Sequence, residues 1–106
     1  GVEIGIAASA LVLGAMILLA ARPPLWIAGL LVACFAIFHG HAHGTELPEA
    51  ASPLAYSLGF VIATGLLHLS GISFGLLVRW PVGRMAVRAA GALIAIAGAV
   101  FLGQAI

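Results

Sequence analysis

Three histidines and a glutamate lie within a short segment of the chain: His39, His41, His43 and Glu46. Imidazole nitrogens and a carboxylate form a ligand set that suits Ni²⁺, Co²⁺, Zn²⁺ or Cu²⁺. On an ideal helix His39 and His43 share a face, whereas His41 points about 200° away from His39. An extended segment, unwound at Gly40 or Gly44, would instead place all three histidines on one side. The spacing predicts a metal site, with a solvent-wetted, His-rich helix end as the plainer alternative.

The composition indicates a membrane protein. The 106 residues are 64% hydrophobic and 7% charged, whereas soluble domains are about 45–50% apolar and about 25% charged. A net charge of +1 gives no reason to expect nucleic-acid binding, and a single cysteine excludes a disulfide within the chain. The sequence contains no P-loop, Gly-x-Ser-x-Gly or His-Glu-x-x-His motif. We therefore expect no enzymatic activity and no nucleic-acid partner.

The apolar stretches predict an all-α membrane protein, a bundle of four transmembrane helices forming one domain over residues 1–106. The helices are expected at about 2–21, 25–43, 54–78 and 86–105. The second apolar run, 25–38, is too short to cross about 30 Å of hydrocarbon unless the helix continues through the histidines. Small residues at four-residue spacing, such as Gly5 with Ser9 and Gly91 with Ala95, predict closely packed helices.

The arginines predict the orientation of the bundle. All four arginines fall in the first and third connections, and the second connection has none. The positive-inside rule therefore places the arginines in the cytoplasm, and the His motif with both termini on the outer, periplasmic side. Tyr56 is expected as an aromatic residue at the outer interface. The chain starts without Met or a basic leader, so we expect a processed form or part of a longer protein.

Two further ionisable residues are candidates for an ion pathway. His68 interrupts the third apolar run and shares a helical face with Thr64, Gly71 and Gly75. Ionisable groups in the membrane interior usually face the bundle and mark functional sites. A neutral histidine bonded to a backbone carbonyl is the alternative. Glu3 is expected at the same end as the His motif, as a ligand, a partner of an imidazole N–H, or only the interfacial end of a helix.

The segment from Phe38 to Glu46, FHGHAHGTE, resembles the signature of the HupE/UreJ family of bacterial hydrogenase and urease accessory membrane proteins. Residues 2–7, 67–71 and 83–84 are also similar, so the resemblance covers essentially the whole chain. That family is understood as nickel or cobalt permeases. The resemblance implies that the second histidine motif and its pathway partners are His39, His41, His43, Glu46, Glu3 and His68.

The resemblance implies a transition-metal permease of the bacterial inner membrane, or its C-terminal half, with nickel or cobalt ion as the transported substrate. Zinc and copper would also bind such a site in vitro. Family members carry an N-terminal helix with His-Pro and Asp-His motifs that this chain lacks, so the chain corresponds to four of about six helices. The expected partners are the divalent ion, the lipid bilayer, and either the N-terminal helices or further copies in a homo-oligomer.

Two other functions fit the same residues. The first is a membrane accessory protein that binds metal for hydrogenase or urease maturation without transporting it, which needs an accessible His motif but no deep pathway. The second is a haem-binding membrane subunit with two axial histidines, since His39 or His43 and His68 are expected at similar depths.

Overall fold

The computed structural model describes residues 1–49 and 52–106, and only the backbone of Glu46. It contains four α-helices: α1 (Val2–Leu18), α2 (Leu25–Glu46), α3 (Pro53–Gly75) and α4 (Pro81–Ala105). Short 3-10 turns at Leu47–Glu49 and Leu76–Arg79 follow α2 and α3. No strand occurs in the described ranges. The predicted all-α fold with four helices is confirmed.

Helices α1 and α4 pack directly against each other through glycines. A Cβ atom on Gly91 would lie 2.6 Å from the backbone nitrogen of Leu18, and one on Gly14 would lie 2.8 Å from the carbonyl oxygen of Gly91. A Cβ on Gly98 would collide with the backbone of Leu11. Since these distances leave no room for a side chain, the two backbones approach as closely as small residues allow in membrane helix pairs.

Helix α1 also contacts α2, whereas α3 is largely unpacked. A Cβ on Gly5 of α1 would collide with the ring of Phe38 on α2. Helix α3 contacts the rest of the described chain mainly near its two ends. The glycines of α3 have no atom within 4 Å of an added Cβ: Gly59, Gly65, Gly71 and Gly75. Helix α1 is therefore the central element, with α4 and α2 on either side.

Most large apolar side chains lie on the surface of the molecule and not in a core. Ala7 and Ser9 are buried, together with several glycines, while large side chains such as Leu25 remain 89% exposed. Within residues 1–49 and 52–106, three helical segments are long and apolar enough to span a bilayer: Leu25–Glu49, Pro53–Arg79 and Pro81–Ala105. Helix α1 has 17 residues and a length of about 26 Å, slightly less than the hydrocarbon core. This surface is suited to lipid, where close packing of small residues replaces a hydrophobic core.

Helix α1 ends three residues before the predicted boundary at residue 21. Ala20 adopts a left-handed conformation with φ 52°. Its N–H donates to Ile17 O at 3.1 Å, and the N–H of Ala21 donates to Met16 O at 2.9 Å. This pair of bonds is a Schellman motif, which terminates the helix although glycine is the usual residue at the left-handed position.

Helix α4 begins five residues earlier than predicted, at Pro81. Trp80 is extended, with φ −112° and ψ 146°, as expected for a residue before proline, and Pro81 occupies the first helical turn. Gly83 does not break the helix, because its missing side chain leaves space for the carbonyl of Leu77. As a result Arg84 and Arg88 lie on the first turns of α4 and not in a loop.

Candidate functional site

The His motif lies on the last turns of α2, beside the N-terminal part of α1 and the start of α3. Helix α2 continues through all three histidines and ends at Glu46, so the extended arrangement is not adopted. His39 and His43 are one turn apart on the same face, where Cβ atoms four residues apart are separated by about 5–6 Å. We call this part of the molecule the histidine end, comprising residues 1–9, 39–49 and 52–60.

His39 is joined to α1 by Ser9, which is only 2% exposed. The Ser9 hydroxyl donates to Ile6 O at 2.6 Å, and its Oγ lies 3.0 Å from His39 Nε2. Because the single hydroxyl proton is used towards Ile6, the Nε2–H of His39 donates to Ser9 Oγ. The lone pair of this imidazole is then on Nδ1, which is the nitrogen that can coordinate a metal ion.

His43 turns towards α3. Its Nδ1 lies 3.1 Å from the Tyr56 hydroxyl, and its ring centroid lies 4.6 Å from that of Phe60, with the two planes tilted by 58°. These residues line a groove of about 230 Å³ between the end of α2 and the start of α3, which has space for several water molecules. Gly40 and Gly44 of α2 also line the groove, and neither adds a side chain to its wall beside His43.

The remaining predicted site residues are separated in the structure. His41 is exposed on another side of α2, and Glu3 is exposed in the first turn of α1. His68 was expected to face the bundle interior, but its side chain is exposed because α3 packs on the rest of the chain only near its ends. The Glu46 side chain lies outside the described part. Among the described residues, no three His, Cys, Asp or Glu side chains gather into a possible metal site.

Two partners of the histidines could not be assigned from the sequence. Ser9 was recognised as a small residue for helix packing, and Tyr56 as an interfacial aromatic residue. The signal for Ser9 was a single hydroxyl within an apolar helix, where an unpaired polar group is costly and a partner is expected. No comparable signal distinguished Tyr56, because its contact depends on how α3 is placed beside α2.

Comparison with known proteins covers nearly the whole chain. The family model described as HupE / UreJ protein matches residues 1–101. The protein HupE of Rhizobium leguminosarum bv. viciae is 38% identical over 101 residues, which are 95% of this chain and 53% of that protein. The chain thus spans about half the length of this relative. No solved structure matches the chain. From the family match and this identity, the chain belongs to the HupE/UreJ family.

Proposed function

We propose that this chain forms part of a permease that brings Ni²⁺ or Co²⁺ across the bacterial inner membrane, with the histidine end as the outer entrance. Membership in the HupE/UreJ family supports a role linked to hydrogenase or urease. The long apolar helices support a location in the membrane. Neutral imidazoles are suitable ligands for both ions.

The hydrogen bond between His39 and Ser9 is the observation that supports the proposal most. A histidine that binds metal nearly always donates its other ring N–H to an acceptor, which fixes the ring and its tautomer. His39 meets this condition, since Nε2–H is directed to Ser9 and Nδ1 carries the lone pair. Rotation of the His43 side chain away from Tyr56 would bring a second imidazole to the same ion. His41 or Glu46 completes the coordination sphere in this proposal.

Transport in this mechanism begins with capture of a dilute ion at the histidine end. The ion loses part of its hydration shell and passes to deeper ligands such as His68, and each site must bind weakly enough to release it. An inside-negative potential supplies about 4.6 kcal/mol per 100 mV for a divalent cation.

The rival function is metal binding without transport, by an accessory protein for hydrogenase or urease maturation. The exposed positions of His41 and His43 favour it, because both can meet a partner protein or ion without a deep pathway. The exposed position of His68 on α3 favours it as well, since His68 forms no possible metal site with other His, Cys, Asp or Glu side chains among the described residues.

Titration of purified protein with Ni²⁺ and Co²⁺ tests the metal site. His39→Ala and His43→Ala should each abolish high-affinity binding, because each removes one of two imidazoles on the same helical face. Cys34→Ser is the matched control, because Cys34 is an exposed thiol on the same helix, of a type that can bind metal, and it lies outside the histidine end. Unchanged affinity in both histidine variants would refute the proposed site.

Uptake of Ni²⁺ or Co²⁺ into cells distinguishes the permease from the accessory protein. Cells expressing the full-length protein should accumulate metal faster than cells expressing the His39→Ala variant. Parallel expression of residues 1–106 alone tests whether these four helices suffice. Metal binding in detergent without any uptake by the full-length protein would favour the accessory function.

A further inference from the structure

A second groove lies at the opposite end of the molecule, between the C-terminal end of α1 and the N-terminal turns of α4. Its volume is about 500 Å³, roughly twice that of the groove beside His43. Three of its lining residues are arginines, Arg22, Arg84 and Arg88, while the walls are apolar and include Leu13, Met16 and Val87. We call it the arginine groove.

The arginines of this groove have no acidic neighbour in it. Its lining contains no Asp or Glu. The Nε–H of Arg88 donates to Leu18 O at 2.7 Å, which fixes the guanidinium at the end of α1, and Arg84 makes only a long 3.5 Å bond to Val78 O. Both guanidinium groups therefore retain N–H donors, in the planar arrangement that matches phosphate oxygens. The positive charge of the groove therefore favours binding of an anion.

The apolar walls specify what kind of anion fits. A small hydrated anion would gain nothing from Leu13, Met16 and Val87, whereas an amphiphile would bury its hydrocarbon against them. The groove also lies at one end of the apolar helices, which is where we expect headgroups to meet hydrocarbon. Basic pockets between membrane helices are a recognised setting for headgroup binding.

We propose that the arginine groove binds one anionic phospholipid, with its phosphate held by Arg22, Arg84 and Arg88 and an acyl chain lying against the apolar wall. The bound lipid contacts both α1 and α4 and so links the ends of the most closely packed helix pair. It stabilises the folded protein by mass action, because the groove exists only when the two helices are packed.

Native mass spectrometry of delipidated full-length protein tests the proposal. The probes are phosphatidylglycerol and phosphatidylcholine with identical acyl chains, and we expect one tightly bound phosphatidylglycerol. Near a membrane surface each arginine contributes roughly fivefold to the affinity for an anionic lipid. Arg22→Gln and Arg84→Gln should each weaken binding by about that factor, and the double variant by about thirtyfold.

Arg79→Gln is the matched control, because Arg79 is an exposed arginine just before α4 that does not line the groove. Its affinity for phosphatidylglycerol should equal that of the parent. A further arm adds glycerol 3-phosphate, which carries the phosphate without acyl chains and should not displace the lipid.

Three results would overturn the proposal. They are equal binding of the two lipids, equal loss in Arg79→Gln and the groove variants, and displacement of lipid by glycerol phosphate. Thermal unfolding gives an independent readout, since phosphatidylglycerol should raise the midpoint of the parent and of Arg79→Gln, but not of the double variant. A rise of the same size in the double variant would also contradict the site.

Discussion

The hydroxyl of Ser9 fixes the ring of His39. Ser9 is nearly fully buried between α1 and α2, so its hydroxyl cannot exchange its partners for water. Donation to Ile6 O makes Oγ an acceptor for the imidazole N–H, and this determines which ring nitrogen carries the lone pair. One side chain on α1 thereby sets the orientation and tautomer of a proposed ligand on α2.

Replacement of this serine tests whether it supports metal binding. Ser9→Ala should lower the affinity for Ni²⁺ by about tenfold, because loss of an outer-shell partner typically weakens a metal site by 10–100-fold. Titration in detergent measures the change. Ser70→Ala is the control, since the Ser70 hydroxyl bonds only within its own helix, to Leu66 O. An affinity equal to the parent in Ser9→Ala would show that Ser9 only packs the helices.

His68 provides a second test at the level of a single residue. In the proposed pathway it receives the ion after capture, so His68→Leu should leave binding at the histidine end nearly unchanged. Uptake of Ni²⁺ by the full-length protein should nevertheless fall strongly, because a partly dehydrated ion loses its next ligand. Uptake equal to the parent at matched expression would remove His68 from the pathway and leave it as a residue of the α3 surface.

The sequence predicts some residue roles and not others. The spacing of His39 and His43 is sufficient to place them on one helical face, since it depends only on helix geometry within α2. Their partners come from α1 and α3, at sequence separations of 30 and 13 residues. Such contacts depend on helix packing, which no local spacing encodes.

At the level of helices, the glycines of α1 and α4 determine how the chain packs. Gly14, Gly91 and Gly98 occur where one backbone meets the other, whereas Gly103, also on α4, has open space around it. In lipid the close approach of backbones replaces hydrophobic burial as the source of helix association. The α1–α4 pair should therefore be the most sensitive part of the molecule to added volume.

Two glycines of α4 allow the effect of an added side chain to be compared at a packed position and at an open one. Gly98→Leu should destabilise the protein by about 2 kcal/mol or more, because overpacking forces the backbones apart. Gly103→Leu should have little effect, since nothing lies within 4 Å of its added Cβ. Thermal unfolding in detergent measures both. Equal midpoints for the two variants would contradict the packing of α4 against α1.

The presence of each helix was predictable from the sequence, because a long apolar run in lipid must satisfy its backbone hydrogen bonds as a helix. The positions at which the helices begin and end were harder to predict. A charge-free run to Ala21 gave no sign that Ala20 would adopt a left-handed conformation and terminate α1. Pro81 and Gly83 suggested a loop, but proline at the first helical turn and glycine against the Leu77 carbonyl instead permit α4 to begin there.

At the scale of the whole molecule, the two ends differ in their charged and ionisable residues. Arg22, Arg84 and Arg88 surround one groove, and the bond from Arg88 to Leu18 O places it where α1 ends. The histidine end includes the other end of α1, and there the hydroxyls of Ser9 and Tyr56 contact two imidazoles. In the proposed permease, a cation that enters at the histidine end meets imidazole and carboxylate groups first and the arginines last.

Cysteine labelling tests the orientation that this separation predicts. In a Cys34→Ser background, Glu49→Cys should react with an impermeant thiol reagent added outside intact cells, because the connection between α2 and α3 lacks arginine. Val82→Cys, at a position 78% exposed beside Arg84, should react only after the membrane is made permeable. Moving arginines across the hydrocarbon during insertion is costly, so we predict that they stay on the cytoplasmic side. Labelling of Val82→Cys but not Glu49→Cys in intact cells would reverse the orientation and make the histidine end an exit for metal.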